Sequence, residues 1–211
     1  MKNFKFADMT LEYLRHSYND TDKNMRTVEV PIIKALIAKF DKYFSPIIVH
    51  KLEIGNVLSH YFYTYHKVLD RDEKIFRRGL EVRIKEDLMS YQPEEKFDLI
   101  VSISTIEHIG FGKYRKFGEK EYTTFEIISK IKDLLNPKGV AFITLPVGYN
   151  PNIDRWLLEG HIGANQVGCM HRISDDNQWE QCSLSTAYET DKHRPKDYPW
   201  STGMVVLRIN N

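Results

Sequence analysis

The sequence predicts a single-domain, doubly wound α/β fold built around a mostly parallel sheet. Through residue 146, short apolar segments alternate with longer segments of helical periodicity, which is the pattern of successive β-α-β units. The segment from Phe97 to Ser104 is apolar on both faces, as is typical of a central strand in a parallel sheet. After residue 146, two strand patterns follow without a strong helix between them. We expect these two to form an antiparallel pair at the sheet edge.

The composition is that of an ordinary globular protein, with 42% hydrophobic and 28% charged residues in 211. The formal net charge of +1 leaves no basic excess for a nucleic-acid partner. No apolar stretch approaches the roughly 18 residues of a membrane span, and the charged N-terminus does not resemble a signal peptide. We therefore expect a cytoplasmic protein. Cys169 and Cys182 match neither a disulfide framework nor a zinc site.

The N-terminal part of the chain predicts a helix followed by three strands. Residues 1–28 are polar and aromatic. We expect them to form either a cap over a site or a leader, and we expect residues 29–211 to form the single main domain. From Glu29 to Phe44 the apolar residues follow a helical stripe, with Pro31 in the first turn, where proline is tolerated. Strand patterns then occupy residues 47–53, 65–70 and 80–87.

The rest of the chain adds four strands, which makes seven in all. The first of them is the buried strand at residues 97–104. A long helix is predicted at residues 119–135, and the Asn-Pro-Lys-Gly sequence at 136–139 follows it as a turn. The remaining elements are strands at 140–145, 179–185 and 204–209 and a short helix at 154–160.

Acidic residues follow three of the predicted parallel strands. Glu53, Asp70 and Asp87 each stand at the carboxyl end of a strand, the edge at which ligands bind in open α/β sheets. An acid after the second strand suits a ribose diol, and one after the third suits an adenine amino group. Glu53 would attract an ammonium. A ligand with an amine, a ribose and an adenine would satisfy all three acids.

Gly55 follows the first strand and would allow the backbone to approach such a ligand closely. Polar residues also follow the buried strand, from Ser104 to His108. The G-x-G-x-x-G sequence of nicotinamide-binding domains is missing after the first strand, and a P-loop sequence is missing as well. These absences argue against the two commonest nucleotide-binding motifs.

Four stretches, LEIGNVLSHY, HKVLD, FDLIVSISTIEHIG and LLNPKGVAFITLPVG, have an order and spacing that resemble class I S-adenosylmethionine-dependent methyltransferases. The resemblance covers roughly residues 29–150. VEVP, GNVLSHY and LPVGYNP resemble, in particular, small methyltransferases associated with glycan biosynthesis. The resemblance implies a Rossmann-like, seven-stranded sheet with helices on both faces and an antiparallel C-terminal strand pair.

The same resemblance implies S-adenosylmethionine as the cofactor. Glu53 and Gly55 match the motif beside its methionine part, Asp70 the acid that binds the ribose hydroxyls, and Asp87 the residue near the adenine. The segment from Ser104 to His108 matches the border between cofactor and acceptor. The implied cofactor residues are Glu53, Gly55, Asn56, Asp70, Arg71, Asp87, Leu88, Ser104 and Glu107.

One feature departs from the family pattern. Val57 and Ser59 stand where the family has its second and third glycines. This departure leaves open a second hypothesis, in which the chain is a catalytically inactive cofactor-binding domain that serves as a partner subunit. A nucleic-acid methyltransferase is disfavoured, because the N/D-P-P-aromatic signature is missing after the buried strand.

The implied reaction is O-methylation of a sugar or another small polar acceptor by direct displacement. A neutral hydroxyl is a poor nucleophile, so a histidine base is expected. His108 is the first candidate, with a structural role as its alternative, and His161 and His171 are the second candidates.

Further residues are candidates for binding the acceptor. They are Arg26, Glu29, Tyr149 and Arg172. A divalent metal could be held by Asp154, Asp175 and Asp176 with a histidine, but we favour solvated loop acids and a helix cap and expect no metal. The partners expected are a small-molecule or glycan acceptor and a second copy of the chain in a homodimer.

Overall fold

The computed structural model describes residues 3–43, 49–62, 66–72, 82–112, 120–161 and 165–211. The strands in these ranges are β1 (Asn3–Phe6), β2 (Met9–Glu12), β3 (Lys51–Ile54), β4 (Lys67–Leu69), β5 (Val82–Ile84), β6 (Phe97–Ile103), β7 (Leu135–Pro146), β8 (Asn165–Arg172), β9 (Trp179–Cys182) and β10 (Gly203–Asn210). The helices are α1 (Arg26–Tyr43), α2 (Thr124–Leu134), α3 (Pro151–Leu158) and α4 (Leu184–Lys192). Five predicted segments include residues 44, 47–48, 65, 80–81 and 119, which lie outside the described ranges.

The large sheet has the strand order β5-β4-β3-β6-β7-β10-β8-β9. Strands β3 to β7 are parallel, and β10 is antiparallel to both of its neighbours, β7 and β8. The chain runs outward from β3 to β5 and then returns to β6 on the other side of β3. The strand order therefore reverses between β3 and β6, and such a switch point is where open α/β sheets bind their ligands.

The antiparallel end of the sheet differs from the prediction. Among the described residues the large sheet has eight strands rather than seven, because the unpredicted strand β8 lies between β10 and β9. Its sequence, NQVGCMHR, contains glycine and only one β-branched residue, so it lacks the usual strand signal. Cys169 and Met170 of this strand are nevertheless fully buried. The two late strands of the sequence prediction are thus both present but are not paired with each other. The first ends at Cys182 rather than at residue 185, and helix α4, which was not predicted, lies between them.

The predicted turn at residues 136–139 lies inside β7. Lys138 has a φ of 70° there, and the register between β6 and β7 shifts between Phe97 and Leu99. The Asn-Pro-Lys-Gly sequence therefore forms an irregularity at the start of a long strand, where one residue adopts a left-handed conformation.

Helix α1 covers one face of the sheet. Val28, Ile32 and Ile33 are fully buried and belong to the same apolar cluster as Val101 of β6 and Phe142 of β7. Each such side chain contributes about 1.5–3 kcal/mol when it leaves water. The helix begins at Arg26, before the predicted start at Glu29, because the Asn24 side chain accepts a hydrogen bond from the Arg26 backbone N–H (2.9 Å).

Helix α2 belongs to the other apolar cluster, in which Ile127 and Ile131 join Ile100 and Ile143 of the sheet. Its first turn is fixed by a capping box between Thr123 and Glu126, in which each side chain binds the backbone N–H of the other residue.

The N-terminal residues are part of the folded structure. Strands β1 and β2 form a hairpin that buries Phe4 and Phe6 in the cluster under α1. Leu14 and Thr27 then exchange hydrogen bonds, with the Leu14 N–H donating to the Thr27 carbonyl (2.9 Å) and the Thr27 hydroxyl donating to the Leu14 carbonyl (2.9 Å). These contacts bring residues 15–25 across the carboxyl edge of the sheet. No helix in the described part of the chain is long and apolar enough to cross a membrane.

Candidate functional site

A cleft of about 400 Å³ lies at the carboxyl ends of β3, β4 and β6, at the switch point of the sheet. Its size is in the ordinary range for small-molecule and cofactor sites. Its lining combines apolar, acidic and cationic side chains. They include Tyr18, Arg26, Ile54, Gly55, Asn56, Leu69, Asp70, Arg71, Asp72, Glu86, Asp87, Leu88, Thr105, His108, Ile109 and Gly110.

At Gly55 the backbone of the turn after β3 lies directly against a neighbouring side chain. It has a φ of +82°, in the left-handed region that favours glycine. A Cβ atom at this position would overlap the side chain of Thr105, which stands across the cleft floor after β6. The Gly55 N–H donates to the Leu69 carbonyl of β4 (2.9 Å). The turn after β3 is therefore held between β4 and β6 with no room for a side chain.

Asp70 follows β4 and lies in the cleft. Its Oδ2 accepts from the Asn56 N–H (3.2 Å), and its Oδ1 accepts from the Asp72 N–H (2.9 Å). These two bonds fix the carboxylate at the cleft wall beside Gly55. The sequence-predicted residues Gly55, Asn56 and Asp70 are thus brought together.

Asp87 follows β5 and also lines the cleft, next to the buried side chain of Leu88. Its Oδ1 accepts from the Met89 N–H (2.9 Å), and its Oδ2 lies 3.0 Å from Nη1 of Arg71. The ion pair joins the turn after β4 to the turn after β5. The apolar side chain of Leu88 lines the cleft next to these charged groups.

Glu53 does not lie where the sequence predicts. It is fully buried and is not among the cleft-lining residues. Its Oε1 accepts from the N–H groups of Val57 (2.8 Å) and Leu58 (2.7 Å), and its Oε2 lies 2.7 Å from Nε2 of His66. A carboxylate with these partners satisfies the open N–H groups of the turn at 58–60. Glu53 therefore shapes the loop after β3 and is not exposed to a ligand ammonium.

The segment after β6 contributes two neighbouring residues with different surroundings. His108 lines the cleft, and its ring meets the Tyr149 ring edge-on at 4.9 Å. Glu107 points inward and is 1% exposed. The pKa of Glu107 is raised to about 8, mainly by burial and to a lesser extent by the nearby Glu29, whereas a backbone hydrogen bond to its carboxyl and the charge of Arg26 oppose the rise. A strongly shifted carboxyl beside a cleft is a common mark of a functional site.

Arg26 lines the cleft on the side of β6, whereas Glu29 lies buried behind it. The Arg26 guanidinium donates from Nη1 to the Ile103 carbonyl (3.0 Å), and its Nε lies 3.7 Å from Oε2 of Glu29. Glu29 also accepts from the Ser104 hydroxyl. Ser104 has a φ of 40° and is likewise absent from the cleft lining. Glu29 and Ser104 therefore hold Arg26 and the end of β6 in place.

Three candidates lie away from the cleft. His161 is exposed after α3 and pairs with Glu159 (3.1 Å). His171 on β8 contacts Thr190 (2.9 Å) and Glu180 (3.0 Å). Arg172 donates to the Asp175 carbonyl (2.9 Å). Since β8 is three strands from β6 and strands are about 4.8 Å apart, His171 and Arg172 are separated from the cleft by roughly 14 Å.

The acids that were considered as metal ligands do not form one cluster. Asp154 accepts from the Tyr188 hydroxyl (2.6 Å) and the Gly148 N–H (3.1 Å), and Asp175 lies beside Arg172. In the ranges that the structure describes, no group of three His, Cys, Asp or Glu side chains is close enough to hold a metal ion.

Several cleft residues were not predicted. Tyr18 reaches the cleft from the N-terminal segment, where its ring stacks on His60 (4.0 Å between centroids, 10° between planes). Thr105 and Glu86 also line the cleft, and each is adjacent in sequence to a predicted residue, Ser104 and Asp87 respectively. The sequence predicts a cap or a leader for residues 1–28 but does not indicate which strand end Tyr18 approaches.

Comparison with known proteins gives a family match over part of the chain. A family model described as "Caenorhabditis protein of unknown function, DUF268" matches residues 59–154, which is less than half of the chain. This range includes β4 to β7 and therefore most of the cleft-forming turns. No curated protein matches the chain.

Solved structures match more of the chain, with 206 chains found. Magnesium protoporphyrin IX methyltransferase (ChlM) from Synechocystis PCC 6803, solved with bound SAM, has a TM-score of 0.50 and 11% identity, and the match covers 94% of this chain and 86% of that one. The N-methyltransferase NodS from Bradyrhizobium japonicum WM9 has a TM-score of 0.47 and 13% identity over 86% and 96% of the two chains. At such identities the likeness concerns the fold. The chain therefore has the Rossmann-like fold of the class I SAM-dependent methyltransferases.

Proposed function

We propose that the chain is an S-adenosylmethionine-dependent methyltransferase and that the cleft at the switch point binds this cofactor. The observation that carries the proposal is the placement of Asp70 beside the Gly55 turn at the carboxyl edge of β3 and β4. A fixed carboxylate next to a side-chain-free stretch of backbone suits a ribose diol.

The other residues of the cleft fit the remaining parts of the cofactor. Leu69 and Leu88 offer apolar contact to an adenine ring, and Asp87 offers a carboxylate for its amino group. Gly55 and Asn56, which also line the cleft, are the residues proposed to lie beside the amino-acid end. Bound there, the cofactor would supply a methyl group on a positively charged sulfur, which needs alignment with its acceptor more than further activation.

The acceptor is proposed to bind beside Arg26 and His108, next to Tyr149. The supporting observations are that Arg26 and His108 line the cleft and that Tyr149, 41% exposed, meets the His108 ring edge-on. A half-exposed aromatic ring is suited to stacking on a sugar. We propose O-methylation of a sugar or a similar polar acceptor, with His108 as the base that takes the hydroxyl proton.

Residues 1–28 are proposed to act as a cap on this site, with residues 29–211 as the domain that carries it. The support is Tyr18, which forms part of the cleft wall. Such a cap would exclude water from the acceptor and the reacting carbon.

Calorimetry with S-adenosylhomocysteine, the demethylated cofactor, tests the site. We expect micromolar binding to the unaltered chain and at least about tenfold weaker binding to Asp70→Asn, because hydrogen bonds to a charged group are worth about 1.5–3 kcal/mol. Asp8→Asn is the matched control, since Asp8 is an exposed aspartate paired with Lys39 in another part of the molecule. Equal affinity in the chain and in Asp70→Asn would refute the assignment.

Methyl release with a panel of sugars tests the reaction. His108→Gln is expected to lower turnover by about 10²- to 10⁴-fold while the affinity for S-adenosylhomocysteine changes little. Unchanged turnover would remove His108 as the base, and absence of transfer to any hydroxyl acceptor would reject O-methylation.

A further inference from the structure

Glu107 and His108 occupy one 3-10 turn after β6 (Ile106–His108) and differ in exposure. His108 lines the cleft although its Nδ1 is buried, while the side chain of Glu107 is buried entirely. Nε2 of His108 nevertheless lies 3.7 Å from Oε1 of Glu107. The Glu107 carbonyl accepts from Nδ2 of Asn150 (2.9 Å), which fixes the turn against the start of α3. The imidazole and the carboxyl are thus held as neighbours by the backbone.

The carboxyl of Glu107 has an unusual environment. Its Oε2 is buried and makes no hydrogen bond within the described residues. An ionised carboxylate in such a place is costly, whereas the protonated form loses much less on leaving water. The same conclusion follows from its pKa, which burial raises to about 8. Both observations favour the protonated form of the Glu107 carboxyl.

The charged and titratable groups around the pair come from α1 and from the segment after β7. Arg26 and Glu29 face Glu107 from α1, with opposite effects on its charge. Tyr149, after β7, touches the His108 ring. His108 is 28% exposed, and its Nε2 lies within ion-pair distance of the Glu107 carboxyl. An imidazole and a carboxyl that interact at such a distance can titrate as a coupled pair.

We propose that Glu107 and His108 share one proton, and that this pair must release it before His108 can accept the proton of the methyl acceptor. Glu107 is then a positioning residue that sets the pH range of the reaction and orients the imidazole. This inference rests on the proposed function of His108 as a base. With the pair deprotonated, the negative carboxylate faces Nε2 and stabilises the imidazolium that forms, as in other acid–histidine pairs.

The step balances without any additional reactant. As the acceptor oxygen bonds to the methyl carbon, its O–H proton passes to the His108 imidazole, and the carbon–sulfur bond breaks with its electron pair left on sulfur. The pair then holds one proton again and loses it to water before the next turnover. Distances in the free protein are commonly longer than in the reacting complex, so a separation of 3.7 Å is compatible with this role.

The test uses nuclear magnetic resonance titration of the full chain without cofactor, with 15N-labelled histidine and 13C-labelled glutamate carboxyl groups, from pH 5 to 10. We expect the His108 and Glu107 signals to respond over the same pH range. In Glu107→Gln the midpoint of His108 is expected to fall by about one pH unit or more, toward the ordinary histidine value near 6.5. An identical His108 midpoint in the two proteins would overturn the proposal.

Glu159→Gln is the matched control, because His161 and Glu159 form a similar pair on the surface, with side chains 64% and 52% exposed. This substitution removes a carboxylate that water screens, so the His108 midpoint should stay where it is in the unaltered chain. If Glu107→Gln does not fold, His108→Gln replaces it. The Glu107 carboxyl should then titrate in a single step, and a curve identical to that of the unaltered chain would contradict the pairing.

Turnover gives an independent readout. The rate should rise with pH to a plateau above the pair's apparent pKa, and Glu107→Gln should move this rise to lower pH. A rise at the same pH in both proteins would also count against the pair. The resonance titrations need no methyl transfer, so a failure of the proposed function would leave them interpretable.

Discussion

Tyr18 stacks face to face on His60, with 4.0 Å between the ring centroids and 10° between the ring planes. His60 belongs to the turn after β3, whose first N–H groups are held by Glu53. Tyr18 belongs to the N-terminal segment and forms part of the cleft wall. This contact, together with the hydrogen bond between the Thr21 and Tyr61 hydroxyls (2.7 Å), joins the N-terminal segment to the turn after β3.

Replacing Tyr18 tests how much this contact supports ligand binding. Tyr18→Ala is expected to weaken binding of S-adenosylhomocysteine about two- to tenfold, since a stacked aromatic pair contributes about 0.5–1.5 kcal/mol beyond its buried area. Tyr18→Phe keeps the ring and should bind as the unaltered chain does. Calorimetry on the three proteins measures the difference. Equal affinities in Tyr18→Ala and Tyr18→Phe would show that the stack does not contribute.

The N-terminal hairpin should matter for stability as well. Phe6 is fully buried and contacts Gly168 of β8. Phe6→Ala is expected to lower the free energy of unfolding by about 3–5 kcal/mol, because it removes a buried aromatic ring and leaves a cavity. Phe125→Ala is the control, because Phe125 is 72% exposed on α2 and should cost less than about 0.5 kcal/mol. Urea unfolding distinguishes them, and a small effect at Phe6 would mean that the hairpin is not part of the cooperative fold.

The sequence identified the parallel half of the sheet and the strand ends because those features have local signals. β-branched runs mark β6 and β7, and acids mark the turns after β4 and β5. Asp70 and Asp87 reach the cleft because each follows its strand on a short turn. The position of Glu53 at a strand end says nothing about its partners, and its carboxylate accepts from the N–H groups of Val57 and Leu58.

Other features depend on contacts between distant parts of the chain. Strand β8 lacks strand-forming residues and is stabilised by pairing with β10 and β9 on either side. Tyr18 enters the cleft only because the hairpin at residues 3–12 packs under α1. His171 lies on a strand that tertiary pairing places three positions from β6. No local pattern in the sequence carries this information.

Gly55 combines a backbone and a steric requirement. Gly55→Ala places a Cβ at a left-handed φ of +82° and against the Thr105 side chain. We expect a loss of about 1–3 kcal/mol in the free energy of unfolding and at least about tenfold weaker cofactor binding, because the turn after β3 must shift. Thermal unfolding and calorimetry measure the two effects.

Thr105→Ala separates the two requirements. In the double variant with Gly55→Ala, the steric conflict is relieved but the unfavourable φ remains, so part of the lost stability should return. Full additivity of the two substitutions would show that Thr105 is not what excludes a side chain at position 55.

The buried Glu107 carboxyl predicts a dependence of stability on pH. Its pKa is about 8 in the folded chain and 4.5 when exposed, so between these values the folded state binds more protons than the unfolded state. Stability therefore decreases as pH rises from 4.5 to 8, by at most about 1.4 kcal/mol per pH unit from this group. Glu107→Gln removes the dependence. Its free energy of unfolding relative to the unaltered chain should increase steadily from pH 5 to pH 8.

Glu126→Gln provides the control, because the pKa of Glu126 is shifted in the opposite direction. Hydrogen bonds from Lys120 and from Thr123 lower it to about 2, so its contribution is complete above pH 4.5 and is lost only as pH falls below that value. Urea titrations at pH 5, 7 and 8 should therefore give parallel curves for Glu126→Gln and the unaltered chain, while Glu107→Gln diverges from both. If the free energies of unfolding of all three proteins change with pH in parallel, the Glu107 carboxyl is ionised in the folded chain. It then has no proton to share with His108.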